Sequence, residues 1–389
     1  MGIFNGASSN IPAEKAFLVG VTLPVVRREE ELENLQELEA LARTAGAAVV
    51  GQTIQNRTRI EGSTYIGKGK IEEIARIIHE KDVNLVIFDG DLTPAQARNI
   101  ENSLDVNVVD RTELILDIFA RRARTRQAKI QVEIAQLTYA LPRLRRLWEH
   151  LSRQEGGIGT RGPGETQIEV DRRKARDRMA HLTKELEAIH RGVEERRKKR
   201  ANLFNVTLVG YTNAGKSTLL NRIAGSNVLE SDRLFSTLDS TTRRAKSPGG
   251  GIFLLTDTIG FIRKLPPHLV ASFKATLLDV READLILHVV DITSSRFQMH
   301  IEAVNETLNE ILGGPRNSIM VFNKIDSLNE RGVTRAMASQ HPDARFVSAR
   351  TGEGLDDLRR AIHGYAEASG TKHHGRYPGT IRNRRETAV

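Results

Sequence analysis

The chain has no cysteine among its 389 residues. That excludes disulfides and thiolate metal sites, and it fits a reducing compartment such as the cytoplasm. No run of about 18 uncharged apolar residues occurs, so no membrane span is expected. The first ten residues, Met1–Asn10, lack a basic stretch followed by an apolar core, so no secretory signal is expected either. With 39% hydrophobic and 28% charged residues, the composition is that of a water-soluble globular protein. The length suggests more than one domain.

Charge is distributed unevenly. The net charge is +9. Residues 111–200 hold 23 Lys and Arg against 13 Asp and Glu, so the rest of the chain sums to about −1. A basic segment of this kind is an electrostatic footprint for phosphate backbones or anionic surfaces, with a solvated helical face as the alternative.

Four regions follow from the hydrophobic pattern. In residues 1–125, strand-like runs at Ala16–Leu23, Ala47–Ile54, Leu85–Asp89 and Val106–Asp110 alternate with helical stretches. These predict a small α/β domain with a largely parallel sheet. Residues 126–200 carry two seams, Ile130, Ile134, Leu137, Leu141, Leu144, Trp148, Leu151 and Ile168, Ala175, Met179, Leu182, Leu186, Ile189, Val193. The spacing predicts an antiparallel helical hairpin, and the glycine-rich stretch Gly156–Gly164 between the seams predicts a flexible tip. Pro142 is expected to kink or interrupt the first arm. Residues 201–368 return to strand–helix alternation, and 369–389 form a basic, polar tail expected to be disordered.

Nucleotide chemistry is concentrated in the third region. Gly210-Tyr211-Thr212-Asn213-Ala214-Gly215-Lys216-Ser217 matches G-x-x-x-x-G-K-[ST], between an apolar strand and a helix that continues through Thr218. Backbone amides there wrap phosphates, Lys216 neutralises the β- and γ-phosphates, and the Ser217 hydroxyl suits Mg²⁺. Asp257-Thr-Ile-Gly260 follows at a strand end. Asp257 is placed to hold a Mg²⁺-bound water, and the Gly260 amide to approach the γ-phosphate. Asn323-Lys324-Ile-Asp326 selects the base, because the Asp326 carboxylate accepts from guanine N1–H and N2–H₂, which adenine does not offer. Ser348-Ala349-Arg350 would give the Ala349 N–H to guanine O6. Between the first two motifs, Phe235–Thr242 is the candidate γ-phosphate sensor. Thr237 is favoured as a catalytic and Mg²⁺-completing hydroxyl, with Thr241 and Thr242 as alternatives. The position after Gly260, where some GTPases carry a water-orienting glutamine, holds Phe261. Slow unaided hydrolysis of GTP to GDP is expected, faster when a partner orders the site. No second phosphate loop is evident; Gly67-Lys-Gly-Lys70 looks like a loop entering a helix.

Several longer strings go beyond a generic GTPase. The tip Gly156-Gly-Ile-Gly-Thr-Arg-Gly-Pro-Gly-Glu-Thr-Gln167 followed by Asp171-Arg-Arg, the string Asp257-Thr-Ile-Gly-Phe-Ile-Arg263 with Leu265-Pro266, Phe235-Ser-Thr-Leu-Asp239, Tyr65-Ile-Gly-Lys-Gly-Lys70, Ala128-Lys-Ile-Gln-Val-Glu133 and Leu137-Thr-Tyr-Ala-Leu-Pro-Arg143 together resemble the HflX-type GTPases. The resemblance implies an α/β fold, a P-loop GTPase domain preceded by a small α/β domain and a long helical hairpin. It implies a monomeric cytoplasmic enzyme that binds the large ribosomal subunit and 70S ribosomes, with rRNA contacts by the hairpin. It further implies splitting of stalled or idle ribosomes under stress. The residues alone leave two other readings open: a regulatory GTPase acting on a non-ribosomal protein, and an RNA-remodelling nucleoside triphosphatase.

Overall fold

A computed structural model describes residues 14–24, 28–154, 167–198, 203–225, 234–235, 238–248, 251–264, 278–314, 316–328 and 331–369. The tip Gly156–Gly164 and the tail 370–389 lie outside them. Among the described residues no helix is long and apolar enough to cross a membrane.

The first sheet is built from β1 (Lys15–Thr22), β2 (Ala48–Asn56), β3 (Leu85–Phe88) and β4 (Asn107–Asp110), all parallel, in the order β2-β1-β3-β4. Its connections are helical: α1 (Arg28–Ala45), α2 (Lys68–Lys81) and α3 (Pro94–Leu104), with α4 (Arg111–Arg122) after the last strand. β3 is buried along its whole length, which is why it reads as an uninterrupted apolar run. Thr93 starts α3 through a capping box with Gln96, followed by Pro94. Gly67 is the extended N-cap of α2 and Lys68–Lys70 form its first turn, so this stretch is the entry to a helix.

Two long helices follow, α5 (Arg126–Gln154) and α6 (Gln167–Lys198). At 1.5 Å per residue they run about 43 and 48 Å. They pack together, with Ile130 and Leu182 of the expected seams buried. Arg126 chelates Glu185, and Arg178 chelates Glu133, across the pair. The α5 root buries a second face as well: Ala128, Val132 and Ala135 join the core of the first sheet. Pro142 lies inside α5, which runs on to Gln154, so the expected interruption does not occur, although a missing N–H removes one helical hydrogen bond.

The second sheet has six strands in the order β10-β9-β8-β5-β7-β6. They are β5 (Phe204–Gly210), β6 (Thr241–Lys246), β7 (Ile252–Asp257), β8 (Leu285–Asp291), β9 (Ser318–Asn323) and β10 (Arg345–Phe346). All pairings are parallel except β6 on β7. Among the described residues, the helices α7 (Lys216–Ala224), α8 (Leu278–Arg281), α9 (Phe297–Leu312), α10 (Arg331–Gln340) and α11 (Leu355–Ala368) accompany the sheet. One apolar cluster runs from β1, α1 and α4 through the root of α5 to Tyr211, Phe235, Leu238, Ile259, Phe261 and Ile262. The first sheet's core therefore reaches the loops at the carboxyl ends of β5 and β7, the place where open α/β sheets bind ligands.

Candidate nucleotide site

β5 delivers the phosphate loop. Gly215 closes it with φ +90°, and a Cβ there would lie 2.3 Å from Asn323 Nδ2, so only glycine fits. It forms the N-cap of α7, and a helix N-terminus presents its first amides to an anion. Asn213 is exposed with φ +61°, whereas Ala214 is buried. Thr218 lies in the first turn of α7.

Lys216 is buried, and its Nζ donates to the carbonyls of Gly210 (3.1 Å) and Tyr211 (2.9 Å). Burial pushes its pKa down to about 8, against the opposing pull of Asp257. Ser217 Oγ donates to Asp257 Oδ2 at 2.6 Å, and both residues are buried. Asp257 ends β7, which pairs with β5. Gly260 comes next to the loop: a Cβ on it would meet Thr212 Cα at 2.8 Å and Lys216 Nζ at 3.1 Å. The following residue is stitched to the same loop, with Phe261 N donating to Gly210 O and Thr212 N to Phe261 O. Phe261 and Ile262 are buried in the core and present no polar side-chain group, as the sequence predicts.

At the far ends of β9 and β10 the residues expected to select the base converge. Asn323 Nδ2 donates to Ala214 O (2.9 Å), and its Oδ1 accepts from Ala349 N (3.0 Å). One side chain thus braces the phosphate loop against the Ser348–Arg350 turn. The Ala349 amide, expected to face guanine O6, is directed at Asn323 because β9 and β10 end side by side. Asp326 is exposed, in a 3-10 turn spanning Ile325–Ser327. Ser348 Oγ donates to its Oδ1 at 2.6 Å, and that bond first of all holds the carboxyl below the usual range, with help from the Arg350 charge. Lys324 takes φ +68° and pairs with Asp291 at 2.6 Å.

Tyr211 departs from its expected place. Its backbone belongs to the loop, yet its buried side chain turns away from it. The hydroxyl donates to Glu37 of α1 and accepts from Arg263 N (2.9 Å), and the ring stacks on His300 at 3.9 Å. The physical reason is an ionic network that single-sequence reasoning missed. Arg111, fully buried at the start of α4, donates to Asp89 (2.8 Å), to Glu37 and to the Arg263 carbonyl (3.1 Å). Burial works against this cation, and Glu37 and Asp89 more than offset it. Arg263 pairs with Glu30 (2.6 Å) and Asn34 (3.1 Å), and Lys264 with Asp89. The acidic start of α1 and the Arg-Lys pair after Gly260 were the available signals.

Thr237 lies outside the described residues. Both alternatives belong to β6, which runs antiparallel to β7. Thr241 pairs opposite Asp257, and Thr242 Oγ1 lies 3.0 Å from Thr256 Oγ1.

Comparison with known proteins gives concordant results. Residues 32–120 match the family described as GTP-binding GTPase N-terminal, 122–200 the GTP-binding GTPase middle region, and 205–324 the 50S ribosome-binding GTPase. The chain is 50% identical to the GTPase HflX of Lacrimispora saccharolytica over 89% of this chain and 81% of that protein. It is 44% identical to the GTPase HflX of Flavobacterium psychrophilum over 90% of both. With the Escherichia coli GTPase HflX, identity is 44% over 95% of this chain and 88% of the relative.

Proposed function

We propose, from the premise that this chain belongs to the GTPase HflX family, that it binds the large ribosomal subunit in its GTP state and splits 70S ribosomes. The family is one of GTP hydrolases, and the region 205–324 is that of a 50S ribosome-binding GTPase. Splitting, its use under stress, action as a cytoplasmic monomer and rRNA contact by the hairpin belong to the proposal.

The observation that carries the proposal is the joint placement of the phosphate cradle and the root of the α5–α6 hairpin around one apolar core. Two arms of about 43 and 48 Å, within a segment carrying ten excess positive charges, suit insertion among RNA phosphates. On this reading Lys216 leaves the carbonyls of Gly210 and Tyr211 for the β- and γ-phosphates, while the first amides of α7 hold the α/β-phosphates. The Gly260 amide faces the γ-phosphate, an approach that a side chain at this position would obstruct. The Ser217 hydroxyl and the Asp257 carboxylate are hard oxygen donors 2.6 Å apart at the mouth of the loop. They fit Mg²⁺, Ser217 directly and Asp257 through water. Bound there, the ion would neutralise charge on the transferring phosphoryl group. Asp326, kept ionised, accepts from the guanine edge. Since Phe261 has no group to orient water, hydrolysis is slow until the ribosome completes the site.

Sedimentation with purified large subunits tests the binding. Co-pelleting with a non-hydrolysable GTP analogue but not with GDP is expected; its absence would sink the ribosomal reading. Sucrose gradients of 70S particles test the splitting separately. An undiminished 70S peak in the presence of bound protein and analogue would refute that step alone.

A further inference from the structure

Phe235, Leu238 and Asp239 lie between the phosphate loop and the root of the hairpin, and touch both. On the nucleotide side, Phe235 N donates to Thr212 Oγ1 at 3.0 Å. Phe235 is held in the left-handed region, at φ +56°, with its ring fully buried edge-on to Phe119 of α4 at 4.7 Å. A non-glycine residue keeps that conformation only where its surroundings fix it, so the Thr212 contact is built in. On the hairpin side, Leu238 is buried in the cluster that contains Ala128 and Val132 of α5. The Asp239 carboxylate spans the start of α5: Oδ2 accepts from Arg124 N and Thr125 N, both at 3.2 Å, and Oδ1 accepts from the Thr125 hydroxyl. Thr125 in turn caps the helix, its Oγ1 accepting from Ala128 N at 3.1 Å. A negative charge thus sits on the positive end of the first hairpin arm, yet it belongs to the other sheet's loop, 114 residues away in sequence.

From this geometry we infer that Asp239 is a positioning residue that couples the nucleotide site to the hairpin, transmitting the state of one to the orientation of the other. Removing or adding a γ-phosphate shifts the Thr212–Phe235 contact. Asp239, four residues on from Phe235, carries the start of α5 with it. Coupling is reciprocal: a partner that reorients the hairpin also acts on the segment beside the phosphates. The inference rests on the assignment of Phe235–Thr242 as the nucleotide-responsive segment, but it requires no ribosome.

Amide hydrogen exchange on the full-length protein tests it, with GDP and with a non-hydrolysable GTP analogue. In the wild type, exchange over residues 122–131 is expected to be at least roughly fivefold slower with the analogue, the lower end of typical coupling. Asp239→Ala and, independently, Thr125→Val should bring that ratio to one within about twofold, while GDP affinity and the exchange response over 204–225 stay as in the wild type. A purely structural role would speed exchange equally with both nucleotides and leave the ratio intact, which would overturn the proposal. If residues 238–248 respond to the analogue in the wild type but 122–131 do not, the coupling is refuted and the assignment of the segment survives. If neither responds, both fail.

Discussion

Glu113 offers a direct test of how the first sheet holds the hairpin. It sits in the first turn of α4, beside Asp110, whose carboxylate caps that helix by accepting from Glu113 N at 2.9 Å. Tyr139 of α5 donates to Glu113 Oε2 at 3.2 Å, and Arg143 bridges to Asp110 at 3.0 Å. Burial, and next the neighbouring Asp110 charge, push the Glu113 pKa up from 4.5 to about 7. The unfolded chain releases this proton near pH 4.5 while the folded chain keeps it to about 7. The folded state therefore binds more protons across that window, and stability falls as pH rises through it. The difference of about 2.5 units corresponds to about 3 kcal/mol, an upper figure because the Asp110 titration is linked to it. Glu113→Gln keeps an oxygen for the Tyr139 hydroxyl and never ionises. Relative to the wild type, the variant should gain nothing below pH 4.5, gain progressively from pH 4.5 to 7, and level off near pH 8 at up to about 3 kcal/mol. Urea unfolding at half-unit intervals from pH 4 to 8.5, followed by far-ultraviolet circular dichroism, measures it. Parallel pH profiles for the two proteins would refute the reasoning.

Three further outcomes are expected. Nucleotide binding restores the charge of Lys216, so at pH 8.5 calorimetry in two buffers of different ionisation enthalpy should show uptake of roughly three quarters of a proton; the Kd then rises with pH above 8, and zero uptake would contradict the placement of Lys216 on phosphate. Phe261→Gln should not speed hydrolysis, and by putting an amide into the apolar core it should cost roughly 3 kcal/mol of stability; a faster enzyme in a phosphate-release assay would show the buried position misjudged. Asp326→Asn should weaken GDP binding by roughly 2 kcal/mol, the scale of a charged hydrogen bond, and favour xanthosine diphosphate in competition; an unchanged base preference would remove Asp326 from base selection.

The central parallel strands of the two sheets were legible because they are buried nearly throughout, as β3, β5 and β8 are, which makes each an apolar run bounded by helical periodicity. The phosphate and base motifs were legible because each needs a fixed local spacing at a strand end. β6 was not, because Thr-Thr-Arg-Arg-Ala-Lys is an edge strand whose charged residues face outward, and such a run looks like a loop until its partner β7 is known. The side chain of Tyr211 went astray for a related reason. Its partners lie in α1 and after Gly260, and nothing in the loop's own spacing encodes where a distant helix will put its carboxylates. The pairs Arg111–Arg263 and Arg263–Glu30 span 152 and 233 residues, far outside any sequence window. Pro142 shows the converse: a residue that locally favours a break lies within one continuous helix.

Those long-range pairs set a physical limit on how the segment after Gly260 can move. A buried ion pair contributes little net stability, because desolvating both charges consumes most of the attraction. Breaking one so that a charge is left buried alone costs about 3–5 kcal/mol. Asp89 is buried and faces both Arg111 and Lys264. Glu37, largely buried itself, faces both Arg111 and Tyr211. A shift of 261–264 by one residue would pull Lys264 from Asp89, Arg263 from Glu30 and Asn34, and the Arg263 amide from the Tyr211 hydroxyl, while Phe261 lost its two backbone bonds to the phosphate loop. Lys264 and Glu30 are more than a third exposed and Asp89 keeps Arg111, so these two pairs contribute about 0–1 kcal/mol each, and the larger cost falls on the buried hydrogen bonds of Phe261 and of the Tyr211 hydroxyl. The segment therefore does not drift. It either stays in register against α1 and β3 or moves together with them, and Gly260 is held beside Lys216 by residues of the first sheet as much as by its own.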